Sequence, residues 1–373
     1  MPTLNRLPIL TLFLWCAVHG GSSMRAEEIA VEISNPPATG QVVFVLFDSA
    51  NAFGDLRDPV KTVALPFDGR SRYRLTGIAP GTYALLVYHD ENRNGLVDRN
   101  FIGIPKEPLG FSNDYRPKGP PNYKRAAFVL QPDKRRDFSI TLKKPLGPRG
   151  RVGVGIGVIG RSSPYRDYDG GVYQVIPALT YTGERLQIYG PRIQLGLAGS
   201  GRLRLAATGE YRIGAYEEED SDVLSGMGDA ESSFLAGLVV QADFPNGMDL
   251  SLSYAHDALG SIGGGEARLE IGKSYQRDML RMTPKIGLKW MSSDLANNDF
   301  GVPPSQALPD RPAYVMDALL SVEVGMGLFI DITRDWLVLI DVSIEYLPSE
   351  VTDSPIVSEN RLSKGVAAFS YIF

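Results

Sequence analysis

The stretch ERLQIYGPRIQLGLAG, Glu184 to Gly199, decides how many strands the second half of this chain contains. Its apolar residues change phase: Leu186 and Ile188 are even, Ile193, Leu195 and Leu197 odd. Side chains of a strand alternate between its faces, so one unbroken strand would send the two sets to opposite sides. Two short strands meeting at Gly190-Pro191 would keep both sets on one side, although a bulge would shift the phase too.

The neighbouring segments make this choice matter. RVGVGIGVIG, VYQVIPALTY, RLRLAATGEYRIG, SFLAGLVVQADF, MDLSLSYAHD, EARLEIGKSY, LRMTPKIGLKW, ALLSVEVGMGLFIDI, WLVLIDVSIEYL and KGVAAFSYIF are all apolar at alternate positions. In MDLSLSYAHD, Leu250, Leu252 and Tyr254 share one face, and Asp249, Ser251 and Ser253 the other. That is the lipid-out, lumen-in alternation of an outer-membrane strand. A soluble sandwich alternates as well, but ten such segments in succession, ending on Phe373, point to a membrane barrel. Lipid cannot satisfy a free backbone group, so the sheet must close. Bacterial single-chain barrels have an even number of strands. Reading 184–199 as one strand gives eleven and fails; splitting it gives twelve, with ten as the fallback.

Connection lengths agree with twelve. If the first strand starts in the periplasm, YTGE, AGSG, DFPNG, SYQRD and ITRDW all become periplasmic turns. The longer connections, 161–170, 216–230, 256–262, 292–314 and 348–363, then lie outside, as the two sides of such barrels require. Both chain ends fall in the periplasm. The fold expected is therefore all-β: a closed antiparallel barrel over 151–373 behind a periplasmic domain.

The N-terminus has the layout of a secretory signal over residues 1–26: Arg6, an apolar run from Ile9 to Val18, then small residues up to Ala26. The run is too short to span a bilayer as a helix. Cys16 is the only cysteine, and Trp15 before it argues against lipidation. A cleaved chain would hold no thiol. With 38 Lys+Arg against 43 Asp+Glu and no basic stripe, nucleic acid is not expected as a partner.

Residues 27–142 read as a small β-sandwich of short strands between turns, with no helix of useful length. KKPLGPRG, 143–150, reads as a linker. The polar stretch DENRNGLVDRN, Asp90 to Asn100, matches an oxygen-ligand calcium loop in part. Asp90, Asn92 and Asn94 take positions 1, 3 and 5, Gly95 position 6, Leu96 position 7 through its carbonyl, and Asp98 position 9. Phe101 stands at position 12, where a bidentate Glu belongs, which excludes a helix-loop-helix calcium hand. A looser structural Ca2+ loop stands beside a plain Asn-Gly turn, with Glu107 or Asp114 as remote ligands. The long loop Gly103 to Tyr123 reads as a stiff cover over the sandwich edge or as a binding loop.

No catalytic residue is assigned, and the chain is not expected to be an enzyme. His256 with Asp257 is the one rim pair, and no Gly-x-Ser-x-Gly elbow or zinc cluster appears. The run EEED, Glu217 to Asp220, reads as a solvated external loop with a weak claim to bridging lipopolysaccharide. Inward charges such as Arg204, Glu210, Arg212 and Lys285 would plug a lumen if paired.

GVGIGV, YQVIPALTY, GMGDAESSFLAG, FGVPPSQA (Phe300 to Ala307), TDSPIV (Thr352 to Val357) and FSYIF resemble the MipA/OmpV family of outer-membrane proteins. The resemblance implies a barrel with no assigned enzymatic activity, one member being described as a scaffold joining a murein lytic transglycosylase to a peptidoglycan synthase. Other members are linked to adhesion or osmotic response. Phe369, Tyr371 and Phe373 resemble the C-terminal signal read by the outer-membrane assembly machinery. PGTYALLVYHDENRNGLVDRNFIGIPKEPLGFSN, Pro80 to Asn113, resembles a secreted domain of unknown function, number 2141, which implies a transthyretin-like sandwich. The expected role is a scaffold in contact with outer-membrane lipid and lipopolysaccharide, its periplasmic domain engaging murein or a murein synthase or hydrolase. The alternative is a narrow channel or transporter for small solutes.

Overall fold

A computed structural model describes residues 27–168, 170–200, 202–244 and 246–373. The expected signal peptide, with Cys16, lies outside the described residues.

The N-terminal domain begins with β1 (Glu27–Ile33) and β2 (Gln41–Phe47), then α1 (Ala50–Asp55). It continues with β3 (Lys61–Pro66), β4 (Arg72–Ile78), β5 (Gly81–Asp90), β6 (Leu109–Phe111), α2 (Tyr123–Ala126), β7 (Phe128–Leu130) and β8 (Arg136–Ile140). Two sheets form, β4-β1-β8 and β3-β2-β5-β6 with β7 added to β5. Between them Ile29, Val31, Phe44, Leu46, Leu85, Val87 and Ile140 make one core. The run QVVFVLF is apolar without alternation because its second face is buried as well. Val43, Val45 and Phe47 pack under Phe53 of α1 and Ala126 of α2. The sandwich is thus backed by two short helices that the sequence reading did not expect. At six and four residues they are too short to show a helical period.

The barrel strands follow: β9 (Arg151–Ser162), β10 (Gly171–Thr182), β11 (Leu186–Tyr189), β12 (Arg192–Ser200), β13 (Leu203–Arg212), β14 (Ser233–Asp243) and β15 (Met248–Asp257). Next come β16 (Gly265–Lys273), β17 (Tyr275–Arg277), β18 (Leu280–Met291), β19 (Leu319–Asp331), β20 (Trp336–Tyr346) and β21 (Arg361–Ile372). Each pairs antiparallel with its neighbour, and β21 pairs back to β9 to close the wall. β17 continues β16 past Ser274, and both pair with β18. The wall therefore holds twelve strand positions. The segment 184–199 is two strands, joined by a turn whose Gly190 has φ of +56°, a left-handed conformation that suits glycine.

Outward residues are apolar and exposed: Val152, Val154, Ile156 and Val158 on β9, Leu252 and Tyr254 on β15, Ile286 and Leu288 on β18. No helix of the described residues is long and apolar enough to cross a membrane; the crossing is made by strands. Short turns and the N-terminal domain share one end of the barrel. The other end carries α3 (Ser293–Phe300) and α4 (Ser349–Thr352) within the long loops.

Candidate functional site

The barrel interior, its two mouths and the polar loop of the first domain are the regions where function would reside. The interior is built from the inward residues of each strand, and its charges are matched. Glu345 accepts from Lys289 Nζ at 3.2 Å and from Ser321 Oγ at 2.6 Å, and it also pairs with Lys364. Lys285 Nζ lies 2.9 Å from Asp341 and 3.7 Å from Glu270. Arg268 reaches Glu266 at 2.8 Å. Of the four inward charges expected to plug the lumen, Arg204 takes Asp243, Glu210 takes Arg192, Lys285 takes Asp341, and Arg212 takes Asp299 of α3. Charges held in a partly dry interior require such partners.

The external mouth is filled by an apolar cluster. Tyr165, Tyr216, Leu224, Met227, Leu295, Phe300, Val302, Met316, Val351, Ile356 and Val357 come from four separate connections and pack on one another. Polar bonds lock them. Tyr165 Oη donates to Asp299 O at 2.8 Å, Ser354 Oγ to Phe300 O at 2.6 Å, and Gln306 Nε2 to Met227 O at 2.7 Å. Arg311, buried, donates to the carbonyls of Ser225 and Gln306 at 2.9 Å each. FGVPPSQA and TDSPIV are therefore two parts of one lid, which explains why their wording does not follow from strand alternation.

The periplasmic mouth is covered by the N-terminal domain. Phe101 enters it and packs on Ala206 and Val239, with Ile102 beside it. Its ring lies where a side chain on Gly196 would stand. Around it the domain grips the short turns: Gln276 N donates to Asn51 Oδ1 at 2.7 Å, Arg281 to Asp55 at 2.8 Å, and Asn122 Nδ2 to Asp278 O at 2.8 Å. Arg99 donates to Asp55 O at 2.8 Å and Gly103 O at 2.9 Å, and burial lowers its pKa to about 10. At the closing seam, Arg151 of β9 donates to Pro117 O at 3.1 Å, while Lys118 donates to Ile372 O at the end of β21. Lys118 also pairs with Asp335 at 2.7 Å. The loop Gly103 to Tyr123 is thus a barrel-docking segment. Its aromatics Phe111 and Tyr123 pack around Phe53 of α1, while Tyr115 packs on Phe111.

The structure brings Asp90, Asn92, Asn94 and Asp98 together, and they bind each other and their own backbone. Asp90 accepts from Gln41 Nε2 at 2.6 Å, Gly95 N at 2.8 Å and Asn94 N at 3.3 Å. Burial opposes its charge, but these donors hold the Asp90 carboxyl below its ordinary value. Asn92 and Asn94 present their amide N–H groups to Asp98 at 2.8 and 3.1 Å. Leu96 is exposed, and its N–H donates to Asn94 Oδ1 at 2.7 Å. Among the described residues no group of three His, Cys, Asp or Glu side chains is placed to hold a metal ion. As arranged, the side-chain oxygens of Asp90, Asn92, Asn94 and Asp98 each accept an N–H donor of the loop or of Gln41.

Glu107 lies beside this loop and is 6% exposed. One oxygen accepts Asp98 N at 3.1 Å; the other has no protein partner. Burial raises its pKa to about 7, with the charges of Asp98, Asp90 and Glu91 adding to the shift. Asp114 pairs with Arg116 at 2.8 Å instead of reaching the loop. At the external rim His256 Nδ1 lies 3.3 Å from Tyr254 Oη, and Asp257 accepts from Leu259, Ile262 and Gly263 N–H at 2.8–3.0 Å. Asp257 caps a turn and does not orient the histidine. The acidic run is likewise internal: Gly228 N donates to Glu218 at 2.9 Å and Glu217 N to Asp220 at 2.9 Å.

The model of the family described as "MltA-interacting protein MipA" matches residues 154–373, more than half of the chain. The chain belongs to this family. Residues 31–137 match an uncharacterized bacterial family, DUF2141. Among relatives, the MltA-interacting protein of Escherichia coli (strain K12) is 28% identical over 56% of this chain and 84% of its own length. The putative outer membrane protein YiaT of the same strain is 21% identical over 60% of this chain and 91% of its own length. Outer membrane protein OmpV of Vibrio cholerae is 27% identical over 44% of this chain and 65% of its own length. This MipA-family chain is an outer-membrane barrel with its N-terminal domain in the periplasm.

Three outcomes follow from the periplasmic mouth, Glu107 and the polar loop. Phe101→Ala is expected to lower the stability of the docked state by about 3 kcal/mol. In detergent-solubilised protein it would speed protease cutting in 143–150 while leaving the barrel heat-modifiable; unchanged cutting would refute the docking role. Glu107 is protonated more readily folded than unfolded, so its contribution is full below about 4.5 and fades as pH rises through about 7. Melting of the N-terminal domain should therefore weaken by about 1–3 kcal/mol from pH 4.5 to 8, and Glu107→Gln should flatten that slope. Calcium up to millimolar levels should leave the melting temperature of the full chain unchanged; a rise of several degrees would restore a cation role for Asp90, Asn92, Asn94, Leu96 and Asp98.

Proposed function

We propose that this protein is a non-conducting outer-membrane scaffold whose periplasmic domain presents a binding face to murein or to a murein-active enzyme. The observation that carries the reading is occupancy of both mouths: the apolar lid outside and Phe101 with its surrounding bonds inside. A solute channel needs a continuous polar path, and paired interior charges with sealed ends oppose one. The grip on the periplasmic turns fixes the orientation of the domain, so the sheet β4-β1-β8 faces away from the membrane. Its outer face offers Glu32, Arg72, Arg74 and Asp137, all exposed, a mixed-charge surface suited to a polar partner. That a relative carries the name MltA-interacting protein supports a lytic transglycosylase as the enzyme engaged.

Two further contacts belong to this reading. The assembly machinery would read the C-terminal strand, where Phe369 stacks on Trp336 at 4.6 Å and Tyr371 packs on Phe373 at 5.0 Å. Lipid and lipopolysaccharide would meet the apolar belt and the acidic loop at Glu217 to Asp220.

Planar-bilayer recording of the purified full chain is expected to show no discrete conductance steps. Immobilised full chain is expected to retain a purified lytic transglycosylase, with affinity about tenfold lower after Arg72→Glu with Arg74→Glu. Stable conductance steps, or binding indifferent to the charge reversal, would favour the transporter reading.

A further inference from the structure

The wall of this barrel is closed at its base but not over its full height. β11 is four residues long, and it pairs only with Thr180 to Thr182 of β10. Among the described residues, β9 is the one strand paired with Gly171 to Ala178. The other edge of that segment is open.

The open edge lies in the hydrocarbon zone. Val175 pairs with Val158 and Pro177 with Ile156, two members of the exposed apolar row of β9. Gly190 N donates to Leu179 O, which shows that odd-numbered residues of β10 turn their backbone groups toward β11. Gly171, Tyr173, Val175 and Pro177 therefore aim theirs into the gap. Proline is tolerated on such an edge because it has no N–H to leave unpaired. Tyr173 is 76% exposed and Val175 71%. Gln174, on the lumen side, is exposed as well. The gap is written into the sequence by the early turn at Gly190-Pro191.

From this geometry we infer that the β10 edge from Gly171 to Pro177 is a docking site for a β-strand of a different outer-membrane protein. Acyl chains carry no donors or acceptors, so they cannot satisfy the exposed backbone; an added strand does so by ladder pairing. β10 runs from surface to periplasm, and the visitor runs upward, continuing the direction in which β11 stops. The same edge of a second copy of this chain does not fit. Two copies share one orientation in the membrane, so β10 descends in both. A two-fold axis along the membrane normal would cross the tilted strands by about twice the ~40° tilt and leave no ladder.

The test uses cells making the full chain with a photo-crosslinking phenylalanine analogue at Tyr173, or at Val154 on the fully paired β9 as control. The expected result is a protein adduct at 173 and none at 154, with the crosslinked peptide mapping to a membrane strand of another barrel. Val175→Pro, which removes one edge N–H as Pro177 already does, should cut that adduct about tenfold while heat-modifiable mobility shows the barrel intact. Lipid adducts alone, an adduct of twice the chain's own mass, or an adduct indifferent to Val175→Pro would each overturn the inference.

Discussion

A backbone amide placed in hydrocarbon has no water to bond, and that constraint organises the rest of the molecule. It forces the wall to return on itself, which it does where β21 meets β9. It sets the direction of every strand and hence which connections face the periplasm. It also gives the short hairpin β11–β12 its significance. Outside β10 and that hairpin each strand pairs on both sides for most of its length, so the open edge of β10 above the hairpin stands out.

A second consequence is the filled interior. Alternation that turns apolar residues to lipid turns the others inward, so Lys289, Glu345, Lys364, Arg268 and Glu266 meet one another at close range. Matched pairs there remove the free charge that would draw ions and water through. The lid and the docked domain then sit at its two ends.

Much of the architecture was legible from residue alternation. The phase change between Ile188 and Ile193 located a turn, and connection lengths assigned the two sides, because both signals are local and repeat. The helices α1 and α3 were not legible, being a few residues inside loops with no period to detect. Phe101 shows the limit most clearly. In the sequence it was informative as the residue that a calcium hand forbids. Its positive role, filling the space above Gly196, depends on a contact nearly one hundred positions away. The polar loop bonds to itself in the structure, and oxygen-bearing side chains at alternating positions suit self-bonded turns as well as ions.

The loop that carries Pro117 and Lys118 touches the first barrel strand with one residue and the last with the next. Those two strands are the most distant in the barrel's sequence, and their pairing closes the ring. A clasp from a domain synthesised before either of them can exist only after they have met. Whatever free energy the clasp contributes is therefore added to the closed ring and not to any open sheet. The leading domain in this way acts as a buckle for a barrel that is made after it.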